Sequence, residues 1–359
     1  MRLGLNLRYL GGRGRPDHER RAALGRAAEQ FGYAVLWTAE QTGSDAATLL
    51  AWLAAQTSTI ELGTAALQMP ARTPAMTAMT AATLDALSGG RFRLGLGLSG
   101  PQVAEGWHGQ SFADPLLRTR EYVAVVRAAL RSSGTPLSYE GKYHRLPIPG
   151  GSGKPLTLGM RPVRAQVPIY LAAVGPRNLE LAGEIADGWL GVLFEPESAA
   201  PALARLRAGR GGDLTGFDVA VSLPVVTGDD PAACRDAARV YTAQLVGGMG
   251  SRTHNFYNRL AVRMGYGPAV AEVQEHYLAG RLRSAVAAVP DRLVDRTALL
   301  GGTDRIADRL PAFAEAGVTT LSVIPLGRHV DAGLAALRAV ADALDKSGLG
   351  GRGSVACTT

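Results

Sequence analysis

Glu40 and His108 are the side chains best suited to acid–base chemistry at, or shortly after, the end of a predicted β-strand. Glu40 closes the segment Trp37-Thr-Ala-Glu40, and His108 lies in Glu105-Gly-Trp-His108-Gly. A carboxylate or an imidazole in such a place can orient a substrate or transfer a proton. A rim residue that caps a helix explains Glu40 equally well, and a lone histidine is more often a surface residue. Both are therefore candidate catalytic residues whose roles stay open.

The segment Ala172-Ala-Val-Gly175-Pro-Arg-Asn178 lies where a predicted strand meets a predicted helix. Small residues there expose backbone N–H groups at the positive end of the helix, which favours binding of an anion. An ordinary strand-to-helix turn is the alternative. In a barrel that carries a cofactor the phosphate interpretation is favoured, because barrels often hold phosphate at such late loops. Ala173, Val174, Gly175 and Pro176 are therefore candidate phosphate contacts.

Other motifs lack the context that their chemistry requires. Gly95-Leu-Gly97-Leu-Ser-Gly100 matches the dinucleotide pattern, but Pro101 follows at once and the match lies on the fourth predicted strand. Gly150-Gly-Ser-Gly-Lys154 is followed by Pro155, where a phosphate-binding loop needs Ser or Thr. The histidines form no H-x-H or H-E-x-x-H pattern, and there are two cysteines, so we expect no metal site.

Strand-like and helix-like segments alternate along most of the chain. Strands are predicted near residues 3, 34, 61, 92, 169, 189, 219 and 321. Helices are predicted at 17–32, 46–57, 74–88, 118–132, 176–186, 198–208, 303–316 and 330–346. Eight parallel strands with intervening helices predict an α/β fold, the (β/α)8 TIM barrel. The segments 98–166 and 231–300 are predicted insertions after strands 4 and 7, on the face where such barrels place their active sites.

We expect one barrel domain over residues 1–346 and a flexible tail at 347–359. The 359 residues are 47% hydrophobic and 19% charged, which is a globular composition. Basic and acidic residues are interspersed, so the net charge of +7 predicts no nucleic-acid interface. No run of about 18 apolar residues and no apolar leader segment is present. A cytoplasmic protein without membrane contact is the expectation.

Several segments together resemble the bacterial-luciferase-like superfamily of flavin and deazaflavin enzymes. They are Trp37–Glu40, Leu62–Ala66, Pro70–Pro74 and Ser88–Gly97. A second group resembles the branch that uses coenzyme F420 and is related to methylenetetrahydromethanopterin reductase. Its members are Ser99–Pro101, Ala186–Trp189, Gly248–Gly250 and Asn255–Asn258. The resemblance extends from Arg2 to about Leu326.

The resemblance implies a barrel that binds F420, or alternatively FMN, at the carboxyl ends of its strands. In the F420 branch a bulge in the third strand often contains a cis peptide behind the deazaflavin ring, and the matching bond here is Ala65–Ala66. Glu40 falls where relatives place an acidic residue near the ring. Further residues expected near the cofactor are Thr64, Gly97, Ser99 and the turn Ala173–Pro176.

By the same resemblance, the reaction is transfer of a hydride between C5 of the deazaflavin and a small organic substrate. Asn255 and Tyr257 are expected to reach the substrate pocket, or else to pack the insertion that carries them. The resemblance also implies a homodimer. Two alternatives stay open: an FMN-dependent monooxygenase on the same barrel, and a protein that binds the cofactor without catalysis.

Overall fold

Eight parallel strands close into a barrel in this computed structural model, which describes residues 1–8, 14–131, 134–160, 162–164, 166–327 and 329–350. They are β1 (Arg2–Asn6), β2 (Val35–Thr38), β3 (Glu61–Thr64), β4 (Phe92–Gly97), β5 (Ile169–Leu171), β6 (Gly188–Val192), β7 (Asp218–Val226) and β8 (Thr320–Pro325). Each strand pairs with the next, and the ring closes where β1 pairs with β8. The predicted (β/α)8 barrel is confirmed, with its strands near their predicted positions.

Among the described residues, eight helices cover the outside of the barrel. They are α1 (Arg15–Gln30), α2 (Ala46–Ala54), α3 (Pro74–Leu87), α4 (Pro115–Arg131), α5 (Pro176–Ile185), α6 (Ala200–Arg210), α7 (Thr303–Glu315) and α8 (Val330–Lys346). Helix α4 begins earlier than predicted because Pro115 suits a first helical position, where no N–H is needed. Helix α6 ends later than predicted, at Arg210, because the next residue is Gly211, whose φ of 77° suits a helix terminus.

A bulge interrupts the pairing of β3 with β4. Gly63 pairs with Arg93, and the next pair is Leu67 with Leu96, so four residues on the β3 side are matched by three on β4. The extra residue lies in the stretch that contains Ala65 and Ala66, whose peptide bond is cis, as the resemblance implies. The amide of Ala65 donates to the carbonyl of Thr38 at 2.6 Å, which ties the bulge to β2. The bulge therefore lies at the carboxyl-terminal mouth of the barrel.

Charged and aromatic side chains fill the opposite, amino-terminal end. The Asp218 carboxylate receives hydrogen bonds from Arg2 and from the hydroxyl of Tyr170, both at 2.9 Å. Burial raises the pKa of Asp218, but attraction to Arg2 and hydrogen bonds from threonines outweigh it and hold that pKa below its usual value. Above this layer, the rings of Trp37 and Tyr170 meet edge to face at 5.2 Å. This end is filled by side chains, which leaves the carboxyl-terminal mouth as the face for chemistry.

The segments that follow β4 and β7 are long and differ in character. After β4 come a short helix, Pro101–Ala104, and the antiparallel hairpin of Tyr139–Glu140 with Arg145–Leu146. After β7 come several helices that share an apolar core of their own. They are Pro231–Ala243, Phe256–Ala261, Gly267–Leu278, Leu282–Ala287 and Asp291–Thr297, with π-helical turns at Gln244–Gly248 and Val262–Tyr266. We call these two segments the first and the second insertion.

The second insertion is anchored in its middle and at its carboxyl-terminal end. The short strand Leu299–Leu300 pairs with the end of β7 and leads back to α7. The buried Glu195, which follows β6, receives a hydrogen bond from Arg296 at 2.5 Å and from the hydroxyl of Tyr266 at 3.3 Å. A carboxylate with two partners from the insertion fixes it to the barrel.

Both ends of the described chain meet beneath the barrel. The N-terminal amine of Met1 donates to the carbonyl of Leu349 at 3.2 Å. Of the predicted flexible tail, residues 351–359 lie outside the described residues. In the part of the chain that the structure describes, no helix has the length and apolarity needed to cross a bilayer.

Candidate functional site

Glu40 is held by four N–H donors at the mouth of the barrel. Its Oε1 accepts from the amide of Ala46 at 3.2 Å and from Arg72 Nη2 at 2.6 Å. Its Oε2 accepts from the amide of Gln68 at 3.1 Å and from Arg72 Nη1 at 2.7 Å. Both oxygens of a nearly buried carboxylate are thus engaged. This arrangement joins the start of α2, the residues after the β3 bulge and the loop before α3.

Arg72 is the charge that balances Glu40. Its side chain is 16% exposed, and it also contacts Asp45, the residue that caps α2 through a hydrogen bond from the amide of Thr48. Burial acts to lower the pKa of Arg72, but its hydrogen bond and attraction to Glu40 prevail and raise that pKa. The guanidinium is therefore charged at all relevant pH values, and two parallel N–H···O contacts fix the orientation of the Glu40 carboxylate.

His108 is linked to the same site through Gln68. The Nε2 atom of His108 lies 2.7 Å from Oε1 of Gln68, while Nε2 of Gln68 donates to the carbonyl of Gln41 at 3.0 Å. Because that amide nitrogen is used as a donor, Oε1 must accept, and Nε2 of His108 carries a hydrogen. Nδ1 is then the nitrogen of His108 at which a proton can be gained or lost. Glu40 and His108, far apart in sequence, are separated here by one residue.

A patch of small residues lies between Glu40 and β5. A Cβ atom built on Gly97 would stand 3.4 Å from that of Ala66 and 3.6 Å from that of Ala172, so these three positions adjoin. Ala65 and Ala66 are half-buried and pack on the Trp37 layer beneath them. We call Ala65, Ala66, Gly97 and Ala172 the alanine shelf. Its residues project at most a methyl group, so a flat group can approach the strands closely.

Two further predicted contacts flank the shelf, and they differ in accessibility. Thr64 is fully buried, and its hydroxyl donates to the carbonyl of Gly95 at 2.7 Å and accepts from the same residue's amide at 2.8 Å. The side chain of Thr64 thus joins β3 to β4. Ser99 is half-buried, with a φ of 60° that few non-glycine residues adopt. Ser99 is therefore the better placed of the two for contact with a ligand.

The predicted phosphate turn leads into α5. Gly175 caps the helix with extended backbone, and Pro176 occupies its first turn. A Cβ atom at Gly175 would meet nothing within 4 Å, so the approach to the helix terminus is open. Ala173 is buried, and its carbonyl accepts from Trp189 at 2.8 Å. The carbonyl of Val174 accepts from Nη2 of Arg263 at 3.0 Å, which brings a cation to the positive end of the helix.

Asn255 and Tyr257 lie in the second insertion, where Asn255 has an internal role. The Asn255 side chain is 2% exposed, its Oδ1 accepts from the amides of Tyr257 and Asn258 at 3.0 Å, and its Nδ2 donates to Val246 at 2.9 Å. It caps the helix Phe256–Ala261 and packs the insertion. Tyr257 is half-buried and packs against the core of the insertion.

Several contacts bring the second insertion over the barrel mouth. Gln41 Nε2 lies 3.8 Å from the sulfur of Met249, and the ring of Phe256 lies 6.3 Å from that of Phe112 in the first insertion. Arg8, just after β1, extends to Gln244 at 3.3 Å and lies over the ring of Tyr241. These contacts connect the second insertion to the loops after β1 and β2 and to the first insertion.

Gln68, Arg72 and Arg263 are site residues that the sequence analysis did not single out. The sequence held a signal for Gln68 and Arg72, because both lie close to segments that carry the family resemblance: Arg72 is inside Pro70–Pro74, and Gln68 follows shortly after Leu62–Ala66. Arg263 had none, since its contact with Val174 joins residues 89 positions apart. Across the described ranges, no three His, Cys, Asp or Glu side chains come close enough together to hold a metal ion.

The sequence profile of the luciferase-like monooxygenase family matches residues 6–320. The chain belongs to this family, and the resemblance predicted from its sequence is confirmed. It is 42% identical over 332 residues to a Mycobacterium tuberculosis protein provisionally named coenzyme F420-dependent oxidoreductase, covering 90% of this chain and 94% of that one. It is 31% identical over 307 residues to the 5,10-methylenetetrahydromethanopterin reductase of Methanolobus tindarius, covering 84% and 88%.

Solved structures share the fold. The coenzyme F420-dependent tetrahydromethanopterin reductase of Methanopyrus kandleri superimposes with a TM-score of 0.79 at 24% identity, covering 95% of this chain and 97% of that one. An F420-dependent secondary alcohol dehydrogenase, solved with an F420–acetone adduct, superimposes with a TM-score of 0.74 at 19% identity, covering 94% of this chain and 98% of that one. At such identities the likeness supports the barrel architecture and not a particular substrate.

Proposed function

We propose that this chain is a coenzyme F420-dependent oxidoreductase that transfers a hydride between C5 of the deazaflavin and a small organic substrate. The observation that carries the proposal is the 42% identity, over 90% of the chain, to the Mycobacterium tuberculosis relative whose name states F420 dependence. The Methanolobus tindarius reductase lends support at greater distance.

The residues at the barrel mouth fit such a cofactor. The alanine shelf leaves room for a planar ring, since a side chain at Gly97 would occupy space beside Ala66 and Ala172. The open terminus of α5 at Gly175, with Arg263 beside it, suits the phosphate of the same molecule. We therefore propose Ala65, Ala66, Gly97 and Ser99 as ring contacts and Ala173–Pro176 as phosphate contacts.

When bound, F420 supplies a hydride donor or acceptor at C5. The chain's own part is to position the reactants and exclude water. The Glu40–Arg72 pair holds the bulge that carries Ala65 and Ala66. The two carboxylate oxygens of Glu40 already accept hydrogen bonds from four N–H donors, so we propose that Glu40 acts as a positioning residue. His108 is the proposed acid–base group, with Nε2 bonded to Gln68 and the proton exchanged at Nδ1.

Assembly as a homodimer is part of the proposal. Met76, Met79 and Leu87 are each at least half exposed on α3, and their spacing places them on one face of that helix. A second copy of the chain is the proposed cover for this face. Light scattering of the wild type and of Met79→Glu tests it. A dimer that the substitution dissociates supports the proposal, and a wild-type monomer overturns it.

The first experiment is a fluorescence titration of the purified protein with F420 and, separately, with FMN. The proposal expects micromolar or tighter binding of F420 and a clear preference over FMN, followed by oxidation of reduced F420 with a suitable acceptor. Preference for FMN would overturn F420 dependence and favour a monooxygenase, to be tested by oxygen consumption. Tight F420 binding without turnover of any hydride acceptor would favour a non-catalytic binding protein.

A further inference from the structure

A cavity of about 980 Å³ lies outside the barrel mouth, between the segment before α3 and the first insertion. One wall is formed by residues 69–75. The other is formed by residues 110–112, 115 and 118, around the start of α4, and by residues 142–146, 148 and 149 of the hairpin and the loop after it. No member of the alanine shelf lines this cavity, and neither does Glu40 or Gly175. Its size is that of cavities that hold ligands as large as drug molecules.

The wall of the cavity is cationic. Arg72, Arg118, Lys142 and Arg145 line it, and no aspartate or glutamate does so among the described residues. Three of these cations have carboxylate partners: Arg72 pairs with Glu40 and Asp45, Lys142 with Asp114 at 2.6 Å, and Arg145 with Glu140 at 3.7 Å. None of these carboxylates lines the cavity. An anion inside would therefore contact cationic side chains, and no carboxylate of the described residues lines the space it would occupy.

The cavity also has aromatic and apolar walls. The guanidinium of Arg118 lies 3.9 Å from the centre of the Tyr143 ring and donates through Nε to the carbonyl of Ala113 at 2.9 Å, which fixes it at the wall. Phe112 and Ile148 line the same space, and Ile148 is 73% exposed. A purely inorganic anion would leave these surfaces uncovered.

A buried carboxylate holds the hairpin wall in place. Glu121 of α4 accepts from the amides of Lys142 and Tyr143, both at 2.8 Å, and from that of His144 at 3.0 Å. Because its backbone is fixed in this way, the hairpin presents Lys142 and Tyr143 at defined positions. The cavity is therefore a built feature of the first insertion and not a gap between loose loops.

We propose that this cavity is a binding site for an organic anion, in which a carboxylate, phosphate or sulfonate is joined to an aromatic or apolar body. The site is separate from the shelf but adjoins it, because Arg72 lines the cavity and also holds Glu40. Such an anion has two sources, a free small molecule or the acidic tail of the deazaflavin cofactor. The chemistry of recognition is the same for both.

The test uses 8-anilinonaphthalene-1-sulfonate, a fluorescent aromatic anion, titrated into the full chain. We expect saturable binding that weakens about tenfold or more in Arg118→Gln and in Arg145→Gln, because each loses a charged donor. Arg205→Gln, on the exposed face of α6, is the matched control and keeps wild-type affinity. Gly175→Leu, which alters the proposed phosphate turn and lies away from the cavity lining, also keeps wild-type affinity. This last variant separates the site from the proposed cofactor site.

Competition then identifies the source. Displacement of the probe by 2-naphthoate and not by the neutral 2-naphthamide supports recognition of an anion. If F420 also displaces the probe from wild type, the occupant is the cofactor's tail; if F420 binds without displacing it, the occupant is a free anion. The proposal is overturned if Arg118→Gln and Arg145→Gln both bind the probe as tightly as wild type, or if naphthamide competes as well as naphthoate.

Discussion

Arg72 donates two parallel hydrogen bonds, of 2.6 and 2.7 Å, to the carboxylate of Glu40, which lies 32 positions earlier in the sequence. Glu40 in turn accepts the amide of Gln68, the residue whose side chain meets His108. A single ion pair thus connects the end of β2, the bulge after β3 and the first insertion. The consequences of this connection can be measured separately as stability and as turnover.

Arg72→Met should destabilise the fold strongly. The substitution leaves Glu40, whose side chain is 7% exposed, without its counter-charge, and losses of about 3–5 kcal/mol are typical for a broken buried pair. Arg120→Met is the control, because the Arg120–Glu184 pair is about half exposed and should cost about 1 kcal/mol or less. Chemical unfolding of both variants gives the comparison, and equal losses would contradict a stabilising role for the pair.

His108→Ala and Glu40→Gln should affect turnover in different ways. If His108 exchanges a proton with the substrate, its loss lowers kcat by about 10²–10⁴-fold and leaves F420 affinity unchanged. Glu40→Gln disturbs the bulge and should weaken F420 binding, while the shape of the pH profile of kcat persists. Steady-state kinetics over a pH series distinguishes the two. A pH profile altered by Glu40→Gln alone would make Glu40 the proton-transfer residue.

Gly97→Leu should fill the shelf and weaken F420 binding by about tenfold or more, because an overpacked site costs about 1–3 kcal/mol. Gly97 is not in the left-handed region, so the backbone tolerates the change. Gly212→Leu is the matched control, since a Cβ atom there meets nothing within 4 Å. Fluorescence titration reports the affinity of each variant. An unchanged dissociation constant for Gly97→Leu would remove the shelf from the cofactor site.

Glu121→Gln should destabilise the protein in a pH-dependent way. Burial raises the pKa of Glu121, but three backbone N–H donors outweigh it and lower that pKa below its usual value. A carboxyl group whose folded-state pKa is lowered stabilises the fold above the unfolded-state pKa, and this contribution is lost as the pH falls through the folded-state pKa. The difference in Tm between wild type and Glu121→Gln is therefore large near neutrality and shrinks well below about pH 4.3. A constant difference would contradict this account, and the exposed Glu140→Gln serves as the control.

Asn255→Ala should lower stability by about 1–3 kcal/mol, because it removes a helix cap and leaves buried backbone groups unpaired. Activity per folded molecule should be retained if Asn255 only packs the insertion. Thermal unfolding, combined with measurement of KM for the substrate, distinguishes a packing role of Asn255 from a role in substrate binding. Unchanged stability with a raised KM would instead identify Asn255 as a substrate contact.

The barrel and the position of its mouth could be predicted from local patterns. Apolar segments such as Leu3–Leu7 and Tyr33–Trp37 alternate with helical periodicity, and their order suffices for a parallel closed sheet because the connections have one handedness. Part of the alanine shelf could also be predicted, because Ala65 and Ala66 lie in the segment Leu62–Ala66, which resembles a family motif. Helix boundaries at α4 and α6 were shifted because prolines and glycines act at the termini themselves.

The sequence by itself thus determined the order of the elements, the face of the barrel proposed to carry the site, and the candidate residues Glu40 and His108. Only the tertiary structure decided their partners, because Arg72, Gln68 and Arg263 reach the site through the closure of the sheet and the docking of an insertion. It also decided that Asn255 is a buried cap. Ion pairs and hydrogen bonds between distant segments are sensitive to differences of a few tenths of an ångström in the distance between their atoms, and those distances are set only once the chain has folded.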